Sequence, residues 1–129
     1  MSVEEEVVEL LKAGGLTIAT AESCTGGMVS ARLVGVPGVS EVFMEGLVTY
    51  SNEAKVRLLG VGEETLEAFG AVSRETAVQM AEGGCRRAGT DVCVSTTGLA
   101  GPGGGTEKKP VGLVYMACCV QGHTTAERH

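Results

Sequence analysis

Three short runs of apolar and β-branched residues divide this chain: 16–21 (L-T-I-A-T-A), 46–50 (G-L-V-T-Y) and 91–97 (D-V-C-V-S-T-T). Each reads as a strand, and 16–21 as one buried on both faces. Helical spacing fills the intervals. Ser2 and Glu5 form a capping box ahead of Val3, Val7, Val8, Leu10 and Leu11, and Gly14 and Gly15 stop that helix. Met28, Val29 and Leu33 predict a second helix ending near Gly35, with Pro37 just beyond. Asn52 is the expected cap of a third helix that runs through Leu59 and closes at Gly60. Further helices are expected over 63–69, ending at Gly70, and over 74–88 after Ser73. A Gly/Pro loop at 98–110, a last apolar strand at 111–120 and a polar tail complete the chain. Strands alternating with helices predict a three-layer α/β domain, and 129 residues suffice for one such unit.

What fills the layers follows from composition. Apolar residues make up 43% of the chain but aromatic ones only 3%, with no Trp, so the core must be built from Val, Leu, Ala and Met. The aromatic stacking platforms that single strands of nucleic acid require are missing. A net charge of -6 argues against a phosphate-backbone or anionic-membrane surface. No apolar run reaches the length of a membrane span, and Glu4, Glu5 and Glu6 replace the basic start of a secretory signal. The five Cys contain no C-x-x-C spacing, and with only two His they complete no zinc site. They read as reduced thiols of a cytoplasmic protein.

In open α/β sheets, ligands sit beyond the carboxyl ends of the strands. Three unusual segments follow the expected strands, Ser23–Gly27, Tyr50–Lys55 and Thr97–Pro110, and together they predict one pocket. Its chemistry is narrowed by what the chain lacks. His123 and His129 both fall in the polar tail, so a Ser-His-Asp device is not expected there. The usual nucleotide-phosphate loops, an H-E-x-x-H helix and a cluster of Asp are also missing, and no metal or cofactor is expected. Ser23 projects from a strand end into the crevice, where the N–H groups of Cys24, Thr25 and Gly26 can face a developing oxyanion. Gly26 and Gly27 permit close approach of a ligand. Read more plainly, Ser23 or Thr25 merely caps the next helix.

A nucleophilic Ser without His needs another base, and Lys is the usual substitute. Lys12 lies in the first helix, and Lys108 and Lys109 in the loop; Lys55 alone lies beside a strand end, in the first turn of a helix capped by Asn52. The helix dipole and burial would both push its pKa down toward a usable amine. Its plainer reading is a solvated Lys near Glu53. Ser51, four residues before Lys55, is a rival nucleophile without the Gly-lined site. The Gly-rich loop could wrap a polar ligand, with Lys108 near an anionic group, or be an ordinary surface loop. Thr97, at the strand end, is better placed than anything within it, whereas Thr76 and Met80 read as core.

A-E-S-C-T-G-G, V-P-G-V-S, T-Y-S-N-E-A-K, G-A-V-S and T-G-L-A-G-P-G-G-G-T-E-K-K-P-V-G, in this order and spacing, closely resemble the CinA C-terminal domain family. The resemblance covers the chain from the first helix to about Val120. It implies a three-layer α/β/α sandwich with a mixed, mostly parallel sheet. It also implies an amidase that converts nicotinamide mononucleotide (NMN) to nicotinic acid mononucleotide and ammonia, with Ser23 as nucleophile and Lys55 as base. Tyr50 would orient the Lys or relay protons, and Thr97 and Ser40 would add hydroxyls to the pocket. Thr25, Gly26, Gly27, Gly101 and Lys108 are the remaining candidates for holding substrate. Family members usually continue into a further strand, a G-D-R motif and a final helix. This chain is expected to lack them and to oligomerise over the surface left uncovered. Two other functions remain: a nucleotide-binding regulatory module without turnover, and a Ser/Lys amidase acting on another small amide.

Overall fold

The computed structural model describes residues 1–129. Ser2 caps helix α1 (Val3–Gly14): its hydroxyl accepts from the Glu5 N–H while the Glu5 carboxylate accepts from the Ser2 N–H, the expected capping box. Strand β1 (Ile18–Glu22) follows and is buried at every position. Helix α2 (Met28–Val34) and a 3₁₀ turn (Val39–Glu41) lead to β2 (Phe43–Val48). Three helices, α3 (Asn52–Leu59), α4 (Glu63–Phe69) and α5 (Arg74–Ala88), then connect to β3 (Val92–Gly98). Strands β4 (Val114–Val120) and β5 (His123–Arg128) end the chain.

The sheet has the order β2-β1-β3-β4-β5. Strands β2, β1 and β3 are parallel, and β4 and β5 join them antiparallel, giving the mixed sheet expected. On one face α1 and α2 bury Val8, Leu11 and Leu33 against Ile18 and Val92. On the other, the α3–α5 layer buries Leu59, Met80, Ala77 and Ala81 against Ala19, Ala21, Cys93 and Ala117. The small residues are the reason α5 lies so low on the sheet. A Cβ at Gly83 would overlap the Leu59 carbonyl oxygen of α3, and one at Gly84 would overlap the Cys93 sulfur.

The chain leaves β1 through α2 on one face and returns from β2 through α3–α5 on the other. The carboxyl end of β1 is therefore the point where the strand order reverses, the place where such sheets open a crevice. Ser23 is the next residue.

Four expectations shift. The second strand begins at Phe43 and stops at Val48, because the Thr49 and Tyr50 carbonyls turn out of the ladder toward Lys55. The cap of α3 is Ser51, not Asn52: its Oγ accepts from the Ala54 N–H at 3.0 Å. The strand expected from 111 begins at Val114, because Gly112 donates to Leu99 O and Leu113 to Pro110 O, closing the long loop on itself. The segment read as a polar tail forms β5, whose alternate residues Thr124 and Ala126 face α5; this includes His123. No helix of the molecule is long and apolar enough to cross a membrane. All five Cys are free, with Cys93 and Cys119 buried and Cys24, Cys85 and Cys118 half-buried.

Candidate active site

Strand alternation decides what faces what. In β1, Ala19 and Ala21 point to the α3–α5 layer and Ile18 to the α1–α2 layer, so Glu22 and Ser23 leave the strand end in opposite directions. Ser23 meets Lys55, which projects inward from α3. Lys55 is 1% exposed and Ser23 7%. The Lys55 Nζ lies 3.0 Å from Ser23 Oγ, 2.9 Å from Thr49 O and 3.3 Å from Tyr50 O.

These three contacts set what the amine can do in each proton state. No carboxylate pairs with Lys55, and burial pushes its pKa below the ordinary lysine value, opposed only weakly by Cys24. A neutral amine has two N–H donors and one lone pair. The ammonium donates to all three oxygens; in the neutral form the Thr49 and Tyr50 carbonyls take the two donors and the lone pair is left for the Ser23 hydroxyl proton. Burial raises the pKa of the thiol of Cys24, next in the chain, which disfavours its thiolate.

The amides after Ser23 fall into two groups. Gly26 N–H donates to Ser23 O at 3.1 Å and Gly27 N–H to Glu22 Oε1 at 3.1 Å. The amides of Cys24 and Thr25 donate to no oxygen of the protein; both lie within reach of the Cys24 sulfur. Gly26 and Gly27 have φ of +56° and +110°, the left-handed region where a side chain would be strained, and this folds the turn back beside Ser23.

Glu22 was not singled out from the sequence, yet it is fully buried beside this turn. Its Oε1 accepts from Thr25 Oγ1 at 2.6 Å and from the N–H groups of Gly27 and Val29 at 3.1 and 3.0 Å. Its Oε2 accepts from Ser30 N–H at 2.9 Å and Ser30 Oγ at 2.8 Å. Those bonds hold its pKa below the ordinary carboxylate value, outweighing the desolvation that opposes them. The α2 N-terminus, which begins at Gly27 and has no cap of its own, is thus capped from five residues upstream. The one signal in the sequence is a Glu closing a buried strand that carries no other charge.

The remaining candidates are not all brought together. Thr97 lies on the sheet face that Ser23 uses, one strand over, but its hydroxyl donates to Ala71 O at 2.7 Å rather than to Ser23 or Lys55. Its neighbour Thr96 faces the other way and bonds Thr25 Oγ1 at 2.7 Å. Tyr50 reaches Lys55 through its carbonyl; its side chain is 68% exposed and is not the group that orients the amine. Thr25 turns its hydroxyl inward, and Gly27 gives its N–H to Glu22, so neither group is free for a ligand. Ser51 is held by its capping role. Ser40 sits exposed in the 3₁₀ turn before β2, at the opposite end of the sheet, separated from Ser23 by about 20 Å of strand. Gly101 and Lys108 lie in the exposed loop that follows β3, at the Ser23 end of the sheet. Lys108 makes no ion pair, whereas Lys109 Nζ ties the loop to Phe69 O of α4 at 2.6 Å.

The sequence matches the CinA C-terminal domain over residues 1–129. The chain belongs to this family. A CinA-like protein of Kosmotoga olearia is 61% identical over 127 residues, covering 98% of this chain and 31% of that protein. Another CinA-like protein, from Chloroherpeton thalassium, is 61% identical over 116 residues and is covered over 28% of its length. The chain therefore spans less than a third of the curated relatives it matches. Among solved structures, the competence/damage inducible protein CihA of Agrobacterium tumefaciens superposes with a TM-score of 0.94 at 46% identity, covering 97% of this chain and 76% of that one. Nearly all of this chain therefore adopts the fold of that structure, and it accounts for about three quarters of it.

Proposed function

We propose that this CinA domain is a Ser/Lys amidase that hydrolyses the carboxamide of nicotinamide mononucleotide. The observation that carries the reading is the Ser23–Lys55 contact: a buried lysine, unpaired by any carboxylate, 3.0 Å from a hydroxyl at the mouth of the sheet. The substrate is the one that the family resemblance implies.

Ser23 Oγ attacks the carboxamide carbon while neutral Lys55 takes the hydroxyl proton. The carbonyl oxygen becomes an oxyanion, and the Cys24 and Thr25 amides, which follow Ser23 in the chain and serve no protein oxygen, are the donors assigned to it. Collapse breaks the C–N bond, and Lys55 delivers its proton to the departing ammonia. A water molecule, deprotonated by the same amine, then cleaves the Ser23 ester to release the carboxylate product. Thr49 O and Tyr50 O hold the amine in line throughout.

Ammonia release from NMN tests the reading, with free nicotinamide alongside. The wild type should release ammonia from NMN and S23A should release none while keeping its circular dichroism. Turnover that survives S23A would falsify the nucleophile. NMN binding without ammonia release would assign a binding module instead. Preference for free nicotinamide would move the substrate to another small amide.

A further inference from the structure

Glu22 is a fully buried carboxylate next to the nucleophile, and none of the steps above uses it. Desolvating such a group is costly unless its charge is fully hydrogen-bonded, and here five donors surround it. Two of those donors are hydroxyls that reach further. Thr25 Oγ1 also bonds Thr96 Oγ1 of β3 at 2.7 Å, and Ser30 Oγ bonds Thr20 Oγ1 of β1 at 2.7 Å. The carboxylate therefore clamps the 24–27 turn to two strands and one helix at once. Capping α2 alone takes one side-chain acceptor at the helix start, whereas this carboxylate accepts from five donors. What the clamp adds is a second anchor for the Cys24–Thr25 peptide, between Ser23, which is bonded to Thr96 O and Lys55, and the left-handed Gly26–Gly27 pair.

We propose that Glu22 is the positioning residue of this site: through Thr25 it holds the Cys24 and Thr25 amides beside Ser23 as the oxyanion-binding element. The proposal rests on the Ser23 nucleophile of the preceding section. Glu22 and Ser23 are adjacent yet face opposite layers, so Glu22 acts through the turn and never touches substrate. Donors of this kind are worth about 10²–10³ in rate when removed, and misplacing them by an ångström costs a comparable factor.

Two readouts separate this proposal from the function it rests on: ammonia release from NMN, and the rate at which a fluorophosphonate probe labels Ser23, followed by intact mass. T25V breaks the link between Glu22 and Thr96 without placing a new charge. It should slow labelling and kcat at least tenfold, leave KM for NMN within about twofold, and leave the pH profile set by Lys55 in place. T25S should recover most of the lost rate. E22Q, which keeps the size but not the acceptor capacity, should reproduce the T25V phenotype if it folds. Wild-type labelling rates in folded T25V would overturn the proposal. So would a rate loss accompanied by a shifted pH profile, since that marks a loosened Lys55 pocket. If the wild type labels at Ser23 but leaves NMN intact, the NMN reading fails and the labelling rates still decide the role of Glu22. If Ser23 does not label at all, the nucleophile and the positioning role fall together.

Discussion

Lys55 is the residue at which stability and chemistry conflict. Burial lowers its pKa, so folding is penalised wherever the unfolded chain holds a proton that the pocket disfavours. Between its folded pKa and the ordinary lysine value of about 10.4, the unfolded state binds more protons and stability rises with pH. K55M, which keeps the stem and removes the charge, should thus be more stable than wild type at neutral pH, and the gap should close as pH approaches that upper value. Urea unfolding at several pH values measures it. The same variant should lose ammonia release. K55R should lose it too, because a guanidinium stays protonated and cannot serve as a base. For the wild type, kcat/KM should rise with pH through a limb lying below the range of a free lysine. Glu22 carries the opposite sign: its lowered pKa adds stability above the ordinary carboxylate range, and that contribution is lost as pH falls through its folded value.

At the scale of elements, the site is aimed by two short helices and one long one. Ser51 caps α3 and so sets where Lys55 enters the layer. S51A should cost about 1 kcal/mol in unfolding free energy yet retain ammonia release, which also removes Ser51 as a nucleophile. Helix α5 holds α3 down through Gly83, where a Cβ would overlap the Leu59 carbonyl oxygen. Alanine there gains about 1 kcal/mol of helix propensity but meets backbone that cannot step aside, and overpacking of that kind costs about 1–3 kcal/mol or more. Overlap with a carbonyl oxygen belongs at the upper end, so G83A should be net destabilising. A calorimetric Tm lowered by several degrees is the expected result, and an unchanged or raised Tm would show that α5 lifts off α3 at little cost.

For the whole molecule, charge and surface act together. The net charge is -6 at pH 7 with a pI near 4.9, and apolar side chains of Met28, Met44, Val48 and Tyr50 remain exposed around the β2 edge. Mutual repulsion opposes association at neutral pH and fades near the pI. Light scattering across pH should therefore show self-association rising toward pH 5. A profile flat through that point would mean the β2 edge is not adhesive, as edge strands with exposed apolar residues ordinarily are.

Much of this architecture was legible locally. The capping box, the Gly stops and the helical spacing are contacts within a few residues, so α1, α2, α4 and α5 emerge from the sequence close to their observed ends. Ser23 and Lys55 could be singled out from strand-end and helix-turn positions, although their 3.0 Å contact spans 32 residues. The boundaries of β2 and β4 and the existence of β5 were not legible, because an edge strand or a loop end is decided by the neighbour it pairs with. The adjacent hydroxyls Thr96 and Thr97 show the same limit. A one-residue step in a strand reverses the face, so only the sheet register could assign Thr96 to the Glu22 network and Thr97 to Ala71. Local periodicity determined most of the elements and placed Ser23 and Lys55 at a strand end and a helix turn. The buried partners of Glu22, the carbonyls around Lys55 and the exclusion of Ser40 were decided only when packing brought distant backbone together, since hydrogen bonding and desolvation depend on what lies within a few ångströms in space, not in sequence.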